Sequence, residues 1–257
     1  MLSKSHIKYI QSLAHKKLRE ASPEFIIEGP KMMEEFLVSQ PGLINEIYAL
    51  DKWSDGAKNL LTSVDPNKII PVTEMELAKI SLLTTPNQVL ALVNKIIPPD
   101  RPILKDRLTL VLDTIQDPGN LGTIIRTADW FGIGQVVCSN ESVELYNPKV
   151  IQSTMGSILR VQVFYLDLET WIAEQKDIPV FCTALEGKNL FEMSPVKEGL
   201  MIIGNESKGV RSSILNAATE KISIPRYGGA ESLNAAVAAG IVMAQIGSAR
   251  YEVRGAK

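Results

Sequence analysis

The chain has 257 residues, 45% apolar and 22% charged, the balance of an ordinary globular protein long enough for one large or two modest domains. A net charge of −2 and a pI near 5.8 argue against indiscriminate nucleic-acid binding, which depends on neutralising many phosphates at once. The longest strongly apolar run, Ala235 to Ala244, is too short to span a bilayer, and the sequence opens without an apolar h-region, so a cytoplasmic protein is expected.

The average charge conceals a basic start: Lys4, Lys8, Lys16, Lys17 and Arg19 are opposed only by Glu20. From Ser5 to Ala21, Ile7, Ile10, Leu13, Ala14 and Leu18 recur at helical spacing, which predicts one amphipathic helix with Lys4, Lys8, His15, Lys16 and Arg19 outward. A strand follows at 25–27, a helix entered through Pro30 at 31–38, a strand at 44–49 and a short helix near 57–61. Lys68–Val72 reads as a strand. Thr73 to Glu76 has the spacing of a capping box opening a helix to Ile80, and a last strand covers 88–94.

Three prolines within 98–102 exclude both helix and central strand and mark a linker over 98–105, separating domains at 1–97 and 106–257. Beyond it, strands at 108–112, 135–138, 161–165, 179–183, 200–203 and 221–224 alternate with helical stretches. That is the pattern of an α/β domain with a mainly parallel sheet covered on both faces, whose ligands bind at the carboxyl ends of the strands. Cys138 and Cys182 lie in apolar β-like runs outside any CxxC or Cys/His cluster, so buried reduced thiols and no metal site are expected.

Three segments carry candidate chemistry. The first strand runs into Asp113 and then DPGNLGTIIRTA over 117–128; the turn at Pro118 to Asn120 leads into a helix with Leu121, Ile124, Ile125 and Ala128 on one face and Thr123 and Arg126 on the other. Taken alone, Arg126 reads equally as a solvated helix arginine, and the glycines do not match GxGxxG. The second segment, GNESKG at 204–209, places glycines and Glu206 at a strand's carboxyl end, although an isolated loop glutamate is more often plain surface. The third, ISIPRYGGAESLN at 222–234, is strand, glycine loop and helix entrance, where Ser232 reads by default as an N-cap.

In this order and form, the three segments resemble the motifs of the SpoU (TrmH) family of RNA 2′-O-ribose methyltransferases in the SPOUT superfamily. FIIEGPK at 25–31 looks like the start of that family's amino-terminal substrate-binding domain, which has the L30e fold. The resemblance implies an L30e-like α/β domain followed by a SPOUT domain with a deep trefoil knot, S-adenosylmethionine as cofactor, and a homodimer. It assigns Asn120, Arg126, Glu206, Ser232 and Asn234 to the catalytic surface and Thr183, Ala184, Gly204, Ile224 and Leu233 to the cofactor pocket. Lys8, Lys16 and Arg19 then become candidate RNA contacts. Arg226 departs from the pattern, since many members carry a hydrophobic residue after the proline. The helix after Asn234, apolar all round, must be covered on every side, by a partner subunit or within one chain.

Methyl transfer from a sulfonium to an oxygen needs in-line approach and loss of the hydroxyl proton. His6 and His15, the only histidines, lie in the other domain, and guanidinium is always protonated, so Arg126 is read as holding a phosphate or the developing alkoxide while the phosphate, Glu206 or water assists proton loss. Ribosomal RNA is favoured over transfer RNA because of the L30e-like domain. The alternatives are a transfer-RNA 2′-O-methyltransferase, base N-methylation on the same scaffold, and a non-catalytic RNA-binding or assembly factor.

Overall fold

Local chemistry sets element boundaries here, as Thr73 and Glu76 illustrate: the Thr73 hydroxyl accepts the Glu76 N–H at 3.3 Å while the Glu76 carboxylate accepts the Thr73 N–H at 3.0 Å, the capping box expected from their spacing. The structure is a computed structural model that describes residues 2–247. It divides into two units. One holds the described residues up to Ile97 together with Tyr146–Leu159; the other holds Pro98–Leu145 and the described residues from Arg160 onward.

The first unit comprises α1 (Lys4–Ser12), α2 (Lys16–Ala21), β1 (Glu24–Glu28), α3 (Pro30–Ser39), β2 (Ile44–Ala49), α4 (Asp51–Gly56), α5 (Lys58–Leu61), β3 (Ile69–Pro71), α6 (Glu74–Ile80) and β4 (Val89–Asn94). Its sheet has the order β1-β4-β2-β3, antiparallel except for β2 with β3. Ile10, Leu13, Tyr48, Leu77, Ile80 and Leu90 pack into its core.

The single helix expected over 5–21 is instead two, because the chain turns between Ser12 and Lys16 and His15 is extended. The turn rotates the second helix, so Leu18 is half exposed and Arg19 is 3% exposed. The Arg19 guanidinium donates to the carbonyls of Leu13 and Ala14 at 2.8 and 2.5 Å, satisfying acceptors that the end of α1 leaves open. Arg19 is therefore a buried strut and not part of the outer basic face; Lys8 and Lys16 remain exposed.

The rest of the chain forms β5 (Leu108–Leu112), α7 (Pro118–Trp130), β6 (Gln135–Ser139), α8 (Pro148–Thr154), β7 (Gln162–Leu166), α9 (Leu168–Ala173), β8 (Val180–Asn189), β9 (Gly199–Ile203), α10 (Ser212–Asn216), β10 (Glu220–Ser223) and α11 (Ala235–Ile246). Within that stretch, α8 belongs to the first unit, where the Tyr146 ring lies 4.8 Å from that of Phe25 and the Tyr146 hydroxyl donates to the Ile96 carbonyl.

The second unit's sheet is parallel throughout, in the order β10-β8-β9-β5-β6-β7. Strands β5, β6 and β9 are buried along their whole length, as strands covered on both faces must be. From β5 the chain steps outward through β6 to β7, then resumes on the other side with β8 and β9. The β5/β9 boundary is thus the topological switch point, where open α/β sheets present a ligand crevice at their carboxyl ends. Helix α11 packs on α7, buries Ala235, Ala239, Val242 and Met243, and leaves Val237 half exposed. Cys138 and Cys182 are buried free thiols; burial raises both pKa values, that of Cys182 to about 12. No helix among the described residues is long and apolar enough to cross a membrane.

Candidate active site

Three loops meet the switch point, and each is fixed by its own sequence. After β5, Asp117 caps α7 by accepting the Asn120 N–H at 2.8 Å, with Pro118 at the first helical position where its missing N–H costs nothing. This sets Asn120 in the first turn of α7. Thr114, a β-branched residue, holds a φ of +60° at the strand's end; such strain persists only where the surroundings enforce it. The enforcement is visible: its N–H donates to Ser139 Oγ and its carbonyl accepts from Asn205 Nδ2.

After β9, Gly204 permits a close return of the chain, since a Cβ there would stand 2.3 Å from the Gly209 carbonyl carbon. Asn205 and Gly209 exchange backbone hydrogen bonds of 3.1 and 2.9 Å, and Asn205 Oδ1 accepts the N–H groups of Ser207 and Lys208. The loop so closed presents Glu206, whose Oε1 accepts from Asn120 Nδ2 at 2.5 Å. After β10, Asn234 caps α11 by accepting from Ala236 and Val237, and its Nδ2 donates to Asn120 Oδ1 at 2.9 Å. One hydrogen-bonded chain, Asn234 to Asn120 to Glu206, therefore joins three segments far apart in sequence. Asn120 uses its acceptor on one side and its donor on the other, which leaves the second Glu206 oxygen for a further partner.

The other candidate catalytic residues stand differently. Arg126 is exposed on α7, on the same outward face as Thr123, and makes no hydrogen bond or ion pair with any described residue. Ser232 is exposed and is not the helix cap; that role falls to Asn234.

The cofactor candidates lie at the ends of β8, β9 and β10. β8 pairs with β10 at Cys182↔Lys221 and resumes only at Lys188↔Ile222, and its pairing with β9 ends at Cys182↔Ile202. Residues 183–187, including Thr183 and Ala184, thus have no register partner on either neighbour and form an irregularity in β8. Thr183 Oγ1 donates to the Ile202 carbonyl, two residues before Gly204, and Ser223 Oγ donates to the Leu185 carbonyl, one residue before Ile224. These bonds hold the bulge against the ends of both strands. Leu233 is 44% exposed beside Asn234. Backbone donors and acceptors with partly exposed apolar neighbours are the surroundings that an adenosyl group and an amino-acid tail require.

Sequence reasoning missed one feature that holds this site. Asp113, fully buried at the end of β5, accepts from both the backbone N–H and Nε of Arg211, each at 2.8 Å. The remaining guanidinium nitrogens face Glu169 at 3.6 Å and Glu141 at 3.9 Å. The available signals were an aspartate ending an apolar strand and an arginine two residues past the GNESKG loop, neither of which points to the other without the fold. His6 and His15 lie in the first unit, His6 bonded to Glu46 at 2.9 Å.

Comparison with known proteins identifies the family. Residues 107–244 match the SpoU rRNA Methylase family, and residues 4–91 match the MRM3-like substrate binding domain. The chain is 34% identical, over 97% of its length and 96% of the other protein, to the Bacillus subtilis (strain 168) 23S rRNA (guanosine(2553)-2′-O)-methyltransferase RlmP. Among solved structures, an AdoMet-bound rRNA methyltransferase from Sinorhizobium meliloti is similar with a TM-score of 0.85 and 25% identity, covering 98% of both chains. The SpoU methyltransferase AviRb from Streptomyces viridochromogenes, in complex with AdoMet, is similar with a TM-score of 0.83 and 25% identity, covering 98% of this chain and 100% of that one.

Proposed function

The chain belongs to the SpoU rRNA Methylase family, and from that premise we propose that it transfers a methyl group from S-adenosylmethionine to a ribose 2′-hydroxyl of ribosomal RNA. The observation that carries the reading is the Asn234–Asn120–Glu206 chain, which gathers all three motif segments at the sheet's switch point. The full-length similarity to a 23S rRNA enzyme, substrate-binding domain included, favours ribosomal over transfer RNA.

When bound, the cofactor supplies an electrophilic methyl group on sulfur. Thr183, Ala184, Gly204, Ile224 and Leu233 would hold it, mainly through backbone groups. Asn120 fixes Glu206 and Asn234 relative to one another and so sets the floor on which the target ribose is oriented; correct orientation alone contributes about 7–11 kcal/mol to such reactions. The target 2′-hydroxyl would have to give up its proton, and the acceptors within reach of such a site are the neighbouring RNA phosphate, Glu206 and water. Arg126, without a partner among the described residues and permanently charged, grips that phosphate or the developing alkoxide; Ser232 approaches the ribose from the opposite loop. Lys8 and Lys16 contact RNA phosphates from the first unit.

The same reading includes the family's trefoil knot, a homodimer and a cytoplasmic setting. Apolar side chains left outward on the two packed helices, Trp130 on α7 (85% exposed) and Val237 on α11, are what a second copy would cover. Titration with S-adenosylmethionine separates the enzyme from a non-catalytic RNA-binding factor on the same fold: saturable binding to one site per chain is expected, and no binding would overturn the proposal.

A further inference from the structure

The segment between β10 and α11 contains a feature that the methyl-transfer site does not use. Every residue from Arg226 to Asn234 is exposed. Arg226 donates from Nη1 to the Ala230 carbonyl at 3.4 Å, closing residues 226–230 into a hoop, and an added Cβ at Gly228 or Gly229 would meet nothing within 4 Å. On this hoop stands Tyr227, 92% exposed and the most exposed of the large apolar side chains described. Among the described residues nothing covers it. Its neighbour Arg226 makes a single weak hydrogen bond among the described residues, which leaves its other guanidinium N–H groups uncommitted there.

We propose that this hoop is a nucleotide-recognition element in which the Tyr227 ring stacks on an unpaired base flanking the methylated nucleotide while Arg226 contacts the adjoining phosphate. The inference rests on the RNA-methylating function proposed above and adds a specificity-determining contact to it. Three observations point to an RNA base as the occupant. A ribose hydroxyl is reached most readily in loops and bulges, and the unstacked bases of such regions are recognised by stacking on aromatic side chains. A flat ring beside an uncommitted guanidinium complements the base and phosphate of one nucleotide. The hoop also lies on the connection that ends in Asn234, so whatever it grips is held by the same loop that contributes to the reaction floor.

The test uses the full-length protein with protein-free 23S ribosomal RNA from a strain lacking the enzyme, and compares Tyr227→Ala, Tyr227→Phe and Arg226→Ala. Base stacking on one aromatic side chain is worth about one to two orders of magnitude in affinity. Tyr227→Ala is expected to raise KM for RNA about tenfold or more with kcat and cofactor Kd unchanged. Tyr227→Phe should retain wild-type KM, and Arg226→Ala should weaken binding with a shallower salt dependence. An unchanged KM in Tyr227→Ala would overturn the proposal. Loss of cofactor affinity would also overturn it, by moving the ring into the cofactor pocket, and a change in oligomeric state would overturn it by giving the ring to a second copy. If the wild-type protein transfers no methyl group to RNA, it is the proposed function that fails; filter binding of the same RNA without cofactor then decides the role of Tyr227 by itself.

Discussion

Asn234 donates to Asn120 across 114 residues of sequence, and Asn120 passes the connection on to Glu206. Asn120 is the only member bonded to both of the others. Asn120→Ala is expected to lower kcat at least tenfold while costing about 1 kcal/mol of stability, the usual worth of a partly exposed hydrogen bond. Single-turnover rates beside urea denaturation check this; a large stability loss with an unchanged rate would make the chain a structural brace alone.

Arg126 stands exposed and without a partner among the described residues, so replacing it breaks no interaction seen among them. If it holds a phosphate by a planar two-point contact, lysine cannot reproduce the geometry. Arg126→Lys should lower the methyl-transfer rate about 100-fold, about 2.7 kcal/mol on the barrier, with cofactor Kd and Tm unchanged. A wild-type single-turnover rate would remove Arg126 from the mechanism.

Arg211 and Asp113 make the opposite kind of pair, with the carboxylate fully buried. Arg211→Ala leaves that charge, among the described residues, with only the backbone N–H of position 211 and the Thr114 hydroxyl, and should destabilise the protein by about 3 kcal/mol. Because Arg211 anchors the loop that carries Glu206, cofactor affinity should fall with stability. Urea midpoints and cofactor titration measure the two, and a change below about 0.5 kcal/mol would show that water replaces the guanidinium.

Glu28, buried at the end of β1, accepts from Ser81 Oγ and from the Leu82 N–H; burial raises its pKa above 4.5 despite those bonds, which act to lower it. A raised carboxyl pKa means that the folded chain binds the proton more tightly than the unfolded chain. Glu28 therefore removes stability as pH rises from about 4.5 through its raised value, and the loss is constant above it. Glu28→Gln, which keeps an acceptor for Leu82, should flatten this part of the stability profile. An equal slope in both proteins, from urea midpoints at a series of pH values, would assign the dependence elsewhere.

Much of the architecture was legible because it is written in short-range chemistry. The apolar runs at β5, β6 and β9 and the capping box at Thr73 and Glu76 each show locally what they do, whereas the turn expected at Pro118 to Asn120 is already the first turn of α7, capped by Asp117. Arg19 was misread because helical periodicity assumes an unbroken helix, and the turn at Leu13 to His15 reverses which side chains face inward. Asp113 and Arg211 were invisible for a different reason: their 98-residue separation closes only through the order of the parallel strands. Asn120, Glu206 and Asn234 could be selected as motif residues, but their hydrogen-bonded order required the fold.

The central claim is that the acceptor is a ribose 2′-hydroxyl of ribosomal RNA. The purified protein should be incubated with isotope-labelled S-adenosylmethionine and 23S ribosomal RNA from a strain lacking it, and the RNA digested to nucleosides for mass spectrometry. The account predicts the label in a single 2′-O-methylnucleoside, with fragmentation leaving the methyl group on the sugar. A label that stays with the base on fragmentation, or no label in ribosomal RNA when transfer RNA under the same conditions is methylated, would contradict it.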